Sequence, residues 1–197
     1  MFSSDYYNKN AAAYIADTFN ADMSSIRGRF ISYLPEHGAV LDAGCGSGRD
    51  AKAFSELGFD VYALDASAAM VEHCRSIIGD RCVLSTFREY NPGIKFDGIW
   101  ACASFLHLEP PEFGDVIMKF TGFLKPGGVF FMSFKYGREN YVKDGRYFNC
   151  HTDESIEELL SSFKNIEILQ NFITGDVRAG RSGEKWVNVI VRRRPPA

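Results

Sequence analysis

The chain has 197 residues, 46% of them hydrophobic and 24% charged, with a formal net charge of −3. That length suits one domain with a substantial core, and the composition is that of an ordinary soluble globular protein. The charge excludes a global attraction to nucleic acid or to an anionic membrane, and no apolar run approaches the roughly 18 residues of a membrane span.

The first residues, Met1-Phe-Ser-Ser-Asp-Tyr-Tyr-Asn-Lys9, lack the basic-then-apolar order of a secretory signal. The five cysteines, at 45, 74, 82, 102 and 150, form no C-x-x-C pair. An odd count without that spacing predicts reduced thiols in a cytoplasmic protein, with neither a disulfide framework nor a metal site.

Residues 3–33 carry a helical pattern bearing Tyr6, Tyr7, Tyr14 and Phe19, and are read as part of a helical cap over 1–37. The core is read as 38–197, one domain with the cap. Ala39–Asp42 predicts a first strand, and Asp50–Leu57 a helix closed by Gly58. Asp60–Asp65 follows as the second strand, then a helix capped by Ser67 and running to Ile78, with Met70, Val71, Cys74, Ile77 and Ile78 on one face. Arg81–Thr86 reads as the third strand and Phe96–Ser104 as a fourth, apolar enough to be covered on both faces. A helix over Phe113–Leu124 is broken by Lys125-Pro-Gly-Gly128, and Val129–Phe134 reads as the fifth strand. Thr152 opens a helix to Phe163, its acids well placed for the helix dipole. Asn165–Ile173 and Lys185–Arg192 read as two last strands joined by a polar loop. Such alternation of helix and strand predicts an α/β fold with a mainly parallel sheet.

The most telling stretch is Val40-Leu-Asp-Ala-Gly-Cys-Gly-Ser-Gly-Arg49. Alternate glycines between a strand and a helix let a ligand approach the backbone and point free N–H groups into a crevice. A dinucleotide fingerprint would place its third glycine at Arg49, and no Gly-Lys-Ser/Thr follows to cradle phosphate. Asp65 ends the second strand 21 residues beyond Gly44, where an acid accepts hydrogen bonds from ribose hydroxyls; a turn-capping aspartate is the other reading.

The D-x-G-x-G-x-G pattern of Asp42–Gly48 resembles motif I of the class I S-adenosylmethionine (SAM)-dependent methyltransferases. Phe96-Asp-Gly-Ile-Trp-Ala-Cys-Ala-Ser-Phe-Leu-His107 resembles their motif IV, and Leu124-Lys-Pro-Gly-Gly-Val-Phe130 their post-motif hairpin. The chain is most similar to small single-domain members, including the tellurite-resistance and thiopurine types. The resemblance implies a Rossmann-like fold: a seven-stranded, mostly parallel sheet ordered 3-2-1-4-5-7-6, strand 7 antiparallel, with helices on both faces. It also implies SAM as cofactor and S-adenosylhomocysteine as product.

On that resemblance the cofactor is expected at Asp42, Gly44, Cys45, Gly46, Gly48, Asp65, Ala66 and Ala101, with adenine near Thr86 and Phe87. Many family members carry an acid at the position of Thr86, so adenine recognition here falls to backbone groups and Phe87, whose alternative is core packing. Tyr7 and Tyr14 are assigned to closing the pocket, since an aromatic face suits a sulfonium; packing of the helix is the competing account.

Methyl transfer from a sulfonium needs alignment and exclusion of water more than any one catalytic residue. The catalytic residue is unassigned from sequence, with His107 as a candidate base or, alternatively, a capping histidine. Acceptor contacts are sought at His107, Lys135, Tyr136, Arg146 and Arg178, the arginines suiting an anion or simply solvating loops. Cys102, inside an apolar strand, reads as a buried structural thiol. No [DN]-P-P-[YFW] element follows the fourth strand, and Arg192-Arg-Arg-Pro-Pro reads as a solvated end. The sequence therefore predicts a SAM-dependent methyltransferase acting on a small molecule, nucleic acid and membrane being outside its expected partners. The alternatives are an enzyme for a protein or RNA group, and a non-catalytic SAM-binding module. Acceptor atom and oligomeric state are not encoded in any of these patterns.

Overall fold

In the computed structural model, residues 3–178, 180, 181 and 183–195 are described. In chain order the elements are α1 (Ser3–Lys9), α2 (Ala11–Thr18), α3 (Ser24–Ile31), β1 (Ala39–Ala43), α4 (Arg49–Glu56), β2 (Asp60–Asp65), α5 (Ala68–Ile78), β3 (Cys82–Leu84) and β4 (Phe96–Ala101). There follow α6 (Pro110–Phe123), β5 (Leu124–Lys135), β6 (Tyr141–Lys143), β7 (Arg146–Phe148), α7 (Asp153–Ser161), β8 (Ile166–Gly175) and β9 (Lys185–Arg193). No helix among the described residues is long and apolar enough to cross a membrane.

Seven strands form one sheet in the order β3-β2-β1-β4-β5-β9-β8. The first five pair in parallel, whereas β9 runs antiparallel to both β5 and β8. With the separate β6–β7 hairpin set aside, β8 and β9 are the sixth and seventh strands, which gives the expected 3-2-1-4-5-7-6. Helices cover both faces. Phe113, Ile117 and Phe120 of α6 and Ile156 and Leu160 of α7 pack on one side; Phe30 of α3, Phe54 of α4 and Val71 of α5 pack on the other.

Local chemistry explains where the elements begin and end. The Ser67 hydroxyl accepts from Met70 N at 3.4 Å to open α5, and Thr152 and Ser155 form a reciprocal capping box on α7. Helix α6 starts at Pro110 rather than at Phe113, because proline fits the first turn, where its missing N–H costs nothing. Strand β3 stops at Leu84, short of Thr86, whose hydroxyl instead accepts from Glu89 N at 3.2 Å. Strand β4 stops at Ala101, short of Ser104, since Ala103 takes a φ of +52° and a short turn follows over Phe105–His107. Lys125–Gly128 belongs to the start of β5 rather than to a break: Phe96 pairs with Leu124 and Gly98 with Val129, so the intervening residues bulge.

The β6–β7 hairpin is absent from the sequence reading, which treats its residues as a basic loop. Its turn is Asp144-Gly145, with φ of +52° and +72°, the backbone that a tight hairpin requires.

Phe30 is fully buried against Phe54, Trp100 and Phe131, and the last two rings stack at 3.9 Å. Helix α3 thus packs on the sheet although it precedes the boundary read at 37/38. Space for Phe30 exists because residue 98 lacks a side chain: a Cβ there would lie 2.6 Å from Phe30 Cζ and 2.8 Å from Leu34 Cδ2. Gly98→Ala is expected to destabilise the fold by about 1–3 kcal/mol through overpacking. Urea denaturation checks this; an unchanged midpoint would remove α3 from the core as described.

Candidate functional site

Strand β1 ends in the turn Gly44–Gly48, whose three glycines have φ of +81°, +50° and +73°. All three also make room, Gly48 for Ile77, whose Cδ1 lies 3.0 Å from where a Gly48 Cβ would be. A Cβ on Gly44 would stand 2.4 Å from Ser104 Cβ, and one on Gly46 would stand 3.2 Å from Tyr14 Cε1. Asp65, at the end of β2, accepts from Gly46 N at 2.9 Å and from Ser67 N at 2.8 Å. Burial pushes its carboxyl up to about 6 despite those bonds. Asp42 is also buried, and its Oδ2 has no hydrogen-bond partner. Burial first, and then the charge of Asp50, raise it well above the usual carboxylate range.

A small recess of about 30 Å³ lies at this turn, bounded by Asp42, Gly44, Gly46, Ser47, Arg49 and Tyr14 among others. Cys45 offers only its backbone there, because its thiol packs 3.8 Å from that of Cys82. With Cys74 these thiols all lie within 4.8 Å of one another, a buried cluster that positions 45, 74 and 82 do not announce. Three thiols fall short of the four ligands that structural zinc takes.

A larger cavity of about 450 Å³ adjoins the recess, and the two share Tyr14, Thr18, Arg49 and Cys102 as walls. All five acceptor-side candidates, His107, Lys135, Tyr136, Arg146 and Arg178, line it. Tyr7 stands in this cavity and not in the recess, whereas Tyr14 borders both. The remaining cofactor candidates, Gly48 and Asp65 included, lie outside both hollows. Ala66 and Thr86 are exposed, Ala101 is fully buried in β4, and Phe87 packs at 4.6 Å on Phe105. The Phe87 ring still reaches the turn, its Cζ 3.3 Å from where a Gly44 Cβ would be.

The cations of the cavity are unequal. Arg178 donates two bonds to Asp176, at 2.9 and 2.6 Å, and Lys135 pairs with Glu184 and, at 3.6 Å, with Asp176. Asp176 is held well below the usual carboxylate range by these partners, against the effect of its burial. Arg146 has only the exposed Asp144 at 3.4 Å; its guanidinium lies 3.6 Å over the Tyr6 ring, and its buried Nε has no partner.

Three residues of the site escape the sequence reading. Arg49 enters that reading only as a missing glycine, Asp176 only as a member of a basic loop, and Trp186 not at all. Cys102 corrects it: the thiol borders both hollows, 3.5 Å from Arg49 Nη2, because β4 ends just before it. Burial pushes it up to about 11, so it remains a protonated thiol.

Residues 40–128 match a family described as a methyltransferase domain. Over that stretch the chain is similar to methyltransferase domains. The Burkholderia thailandensis 1,6-didemethyltoxoflavin N1-methyltransferase, solved with 1,6-didemethyltoxoflavin and S-adenosylhomocysteine, superposes with a TM-score of 0.81 at 21% identity, over 98% of this chain and 87% of that one. A SAM-dependent methyltransferase from Clostridium acetobutylicum gives 0.70 at 18% identity over 96% and 100%, and the glycopeptide N-methyltransferase MtfA gives 0.68 at 20% over 89% and 91%. No curated protein sequence matches the chain.

Beside the glycine turn Arg49 is fixed by Asp50, which accepts from Arg49 at 2.5 Å, Arg27 at 2.7 Å and Trp100 Nε1 at 3.0 Å. Burial opposes the charge of Asp50, but the two arginines hold it below the ordinary value. Asp50→Ala leaves two buried cations unpaired and is expected to cost about 3–5 kcal/mol. Urea unfolding measures it, and a loss below the level of a surface substitution would show that Arg49 is held by something else.

Proposed function

We propose that this methyltransferase is a cytoplasmic enzyme that takes its methyl group from SAM and passes it to a small molecule. The observation that carries the reading is the shared wall: a recess at the glycine turn opens beside a cavity sized for a small molecule. The residues present fit the cofactor. Asp42, with an unpartnered buried oxygen, suits its ammonium group, and Arg49 its carboxylate. Asp65 suits the ribose hydroxyls, and the backbone of Gly44, Cys45, Gly46, Gly48 and Ala66 lines the approach, with Ala101 beneath. Thr86 and Phe87 are assigned to the adenine edge.

Bound SAM would supply a methyl group already activated on sulfur, so the chain's task is to align an acceptor and exclude water. Tyr7 and Tyr14 wall off the cavity, while Lys135, Tyr136, Arg146 and Arg178 frame the acceptor. The 1,6-didemethyltoxoflavin bound in the Burkholderia relative is a small molecule of the size this cavity suits. An acceptor cavity beside the recess also argues against a module that only senses SAM.

Incubation with methyl-labelled SAM and a panel of thiols, amines, phenols and N-heterocycles is expected to label at least one member. Tight SAM binding without any transfer would overturn the enzymatic reading. Gly46→Val drives a side chain toward Tyr14 at positive φ, and Asp65→Ala removes the ribose acceptor. Each is expected to weaken SAM binding by about 10- to 100-fold, roughly 1.4–2.8 kcal/mol, by calorimetry; unchanged affinity in either variant would displace the site.

The carboxyl of Asp65 gives this binding a pH dependence. Its folded value, about 6, lies above the ordinary 3.8, so its contribution to stability is complete below 3.8 and is lost as pH rises through about 6. Hydroxyl donors prefer the ionised carboxylate, so SAM affinity is expected to rise with pH through about 6 and to level off above it. Titrations at graded pH check this, and a flat profile would remove Asp65 from ribose binding.

A further inference from the structure

His107 and Tyr7, 100 positions apart, meet at 2.7 Å between Nε2 and the phenol oxygen. The other ring nitrogen, Nδ1, lies 2.7 Å from the carbonyl oxygen of Tyr147. A carbonyl only accepts, so Nδ1 carries the hydrogen. Burial drives its value down to about 4, so the ring is neutral until an anion forms beside it and favours the charged form. Nε2 is therefore a free lone pair, and the Tyr7 hydroxyl donates to it. Having donated its one hydrogen, the Tyr7 oxygen turns only lone pairs to the remaining space. Both side chains border the large cavity.

Arg146, next in sequence to Tyr147, stands beside this pair, its guanidinium 5.6 Å from the centre of the Tyr7 ring. Lys135 and Arg178 are neutralised by Asp176 and Glu184, whereas Arg146 retains a buried, unpaired Nε. Arg146, paired only with the exposed Asp144, thus sets a positive charge next to one oriented proton acceptor. Tyr14, Tyr136 and Trp186 supply flat walls around them.

We propose that Tyr7 and His107 form a proton relay that deprotonates an acidic N–H or O–H of a planar aromatic acceptor, with Arg146 stabilising the charge left behind. The proposal rests on the small-molecule methyltransfer reading above and specifies its acceptor class: phenols and acidic N-heterocycles. The acceptor atom bonds to the methyl carbon as the carbon–sulfur bond breaks and sulfur keeps the electron pair. The acceptor's proton passes to the Tyr7 oxygen, Tyr7's proton passes to His107 Nε2, and the ring later yields it to water. Tyr7 touches the acceptor and is the catalytic residue; His107 acts through it as a positioning residue. Were the pair only a clasp for α1, removing the hydroxyl would leave the ionisation of a bound acid untouched.

The test uses the protein loaded with S-adenosylhomocysteine and 4-nitrophenol as probe, whose phenol and phenolate absorb at different wavelengths. Wild-type protein is expected to bind the probe with an ionised fraction several-fold higher than Tyr7→Phe at the same pH. His107→Gln should resemble Tyr7→Phe, and Arg146→Gln should lower both binding and ionisation. The phenylalanine variant keeps the ring and its packing, so it reads the relay even if the histidine variant fails to fold. Equal ionised fractions in wild type and Tyr7→Phe overturn the relay, and failure of wild type to bind the probe overturns the acceptor class. Calorimetry of S-adenosylhomocysteine, done before the probe is added, separates these outcomes from failure of the cofactor reading, which would carry the proposal down with it.

Discussion

Asp50 accepts hydrogen bonds from Arg27 in α3, from the adjoining Arg49 and from Trp100 in β4, so one buried carboxylate ties an N-terminal helix, the glycine turn and a central strand together. Such a network adds little net stability over a well-packed apolar group, because three polar partners lose their water. Its effect is positional. Arg27 fixes the approach of α3, and Trp100, stacked on Phe131, fixes β4 against β5. Arg49 is thereby held as the wall between the recess and the larger cavity. Each hollow inherits its shape from that carboxylate.

The remaining walls come from elements that add little to the core. Helix α1 buries none of its residues and is held at its edges. Asn8 accepts from the Ser67 hydroxyl at 2.8 Å, Tyr6 carries the Arg146 guanidinium, and Tyr7 bonds to His107. Helix α2 is tied down at 3.0 Å between the Thr18 and Ser47 hydroxyls, over the glycine turn. Detaching α1 exposes no core and breaks only a handful of polar contacts, so it opens at a far lower cost than unfolding the sheet. The sheet is thus rigid beneath a cover that is weakly held.

How much of this is legible in the sequence depends on the range of each interaction. The glycine turn, the Ser67 cap and the alternation of strands are local, and they place β1, β2 and α5 correctly, whereas the strand order comes from the family resemblance. The hairpin escapes notice because its strands are three residues each, too short for a period of two to show, leaving Asp144-Gly145 as its only mark. Charge is misread for another reason. Reading Lys135 and Arg178 as acceptor contacts takes no account of Asp17, Asp176 and Glu184, which the fold brings against them and which cancel most of their charge. Arg146 stands out only after these partners are known. The Tyr7–His107 contact and the three gathered thiols have no local signature, since each joins segments tens of residues apart.

That division by range follows the division of labour in the molecule. Residues 40–128, which match the methyltransferase-domain family, contain the glycine turn, Asp65 and the strands that carry them. Lys135, Tyr136, Arg146, Arg178 and Trp186 all lie beyond residue 128. Short-range backbone geometry specifies the glycine-turn half, and a family pattern captures it. The half that frames the larger cavity is assembled from a hairpin, the loop between β8 and β9, and helices from the opposite end of the chain. Low identity over a shared fold is the expected result of that arrangement, because chemistry particular to one substrate is grafted where the sheet does not depend on it. Arg49 and Tyr14 are where the two halves meet, and they are the residues through which a change on the acceptor side is felt at the glycine turn.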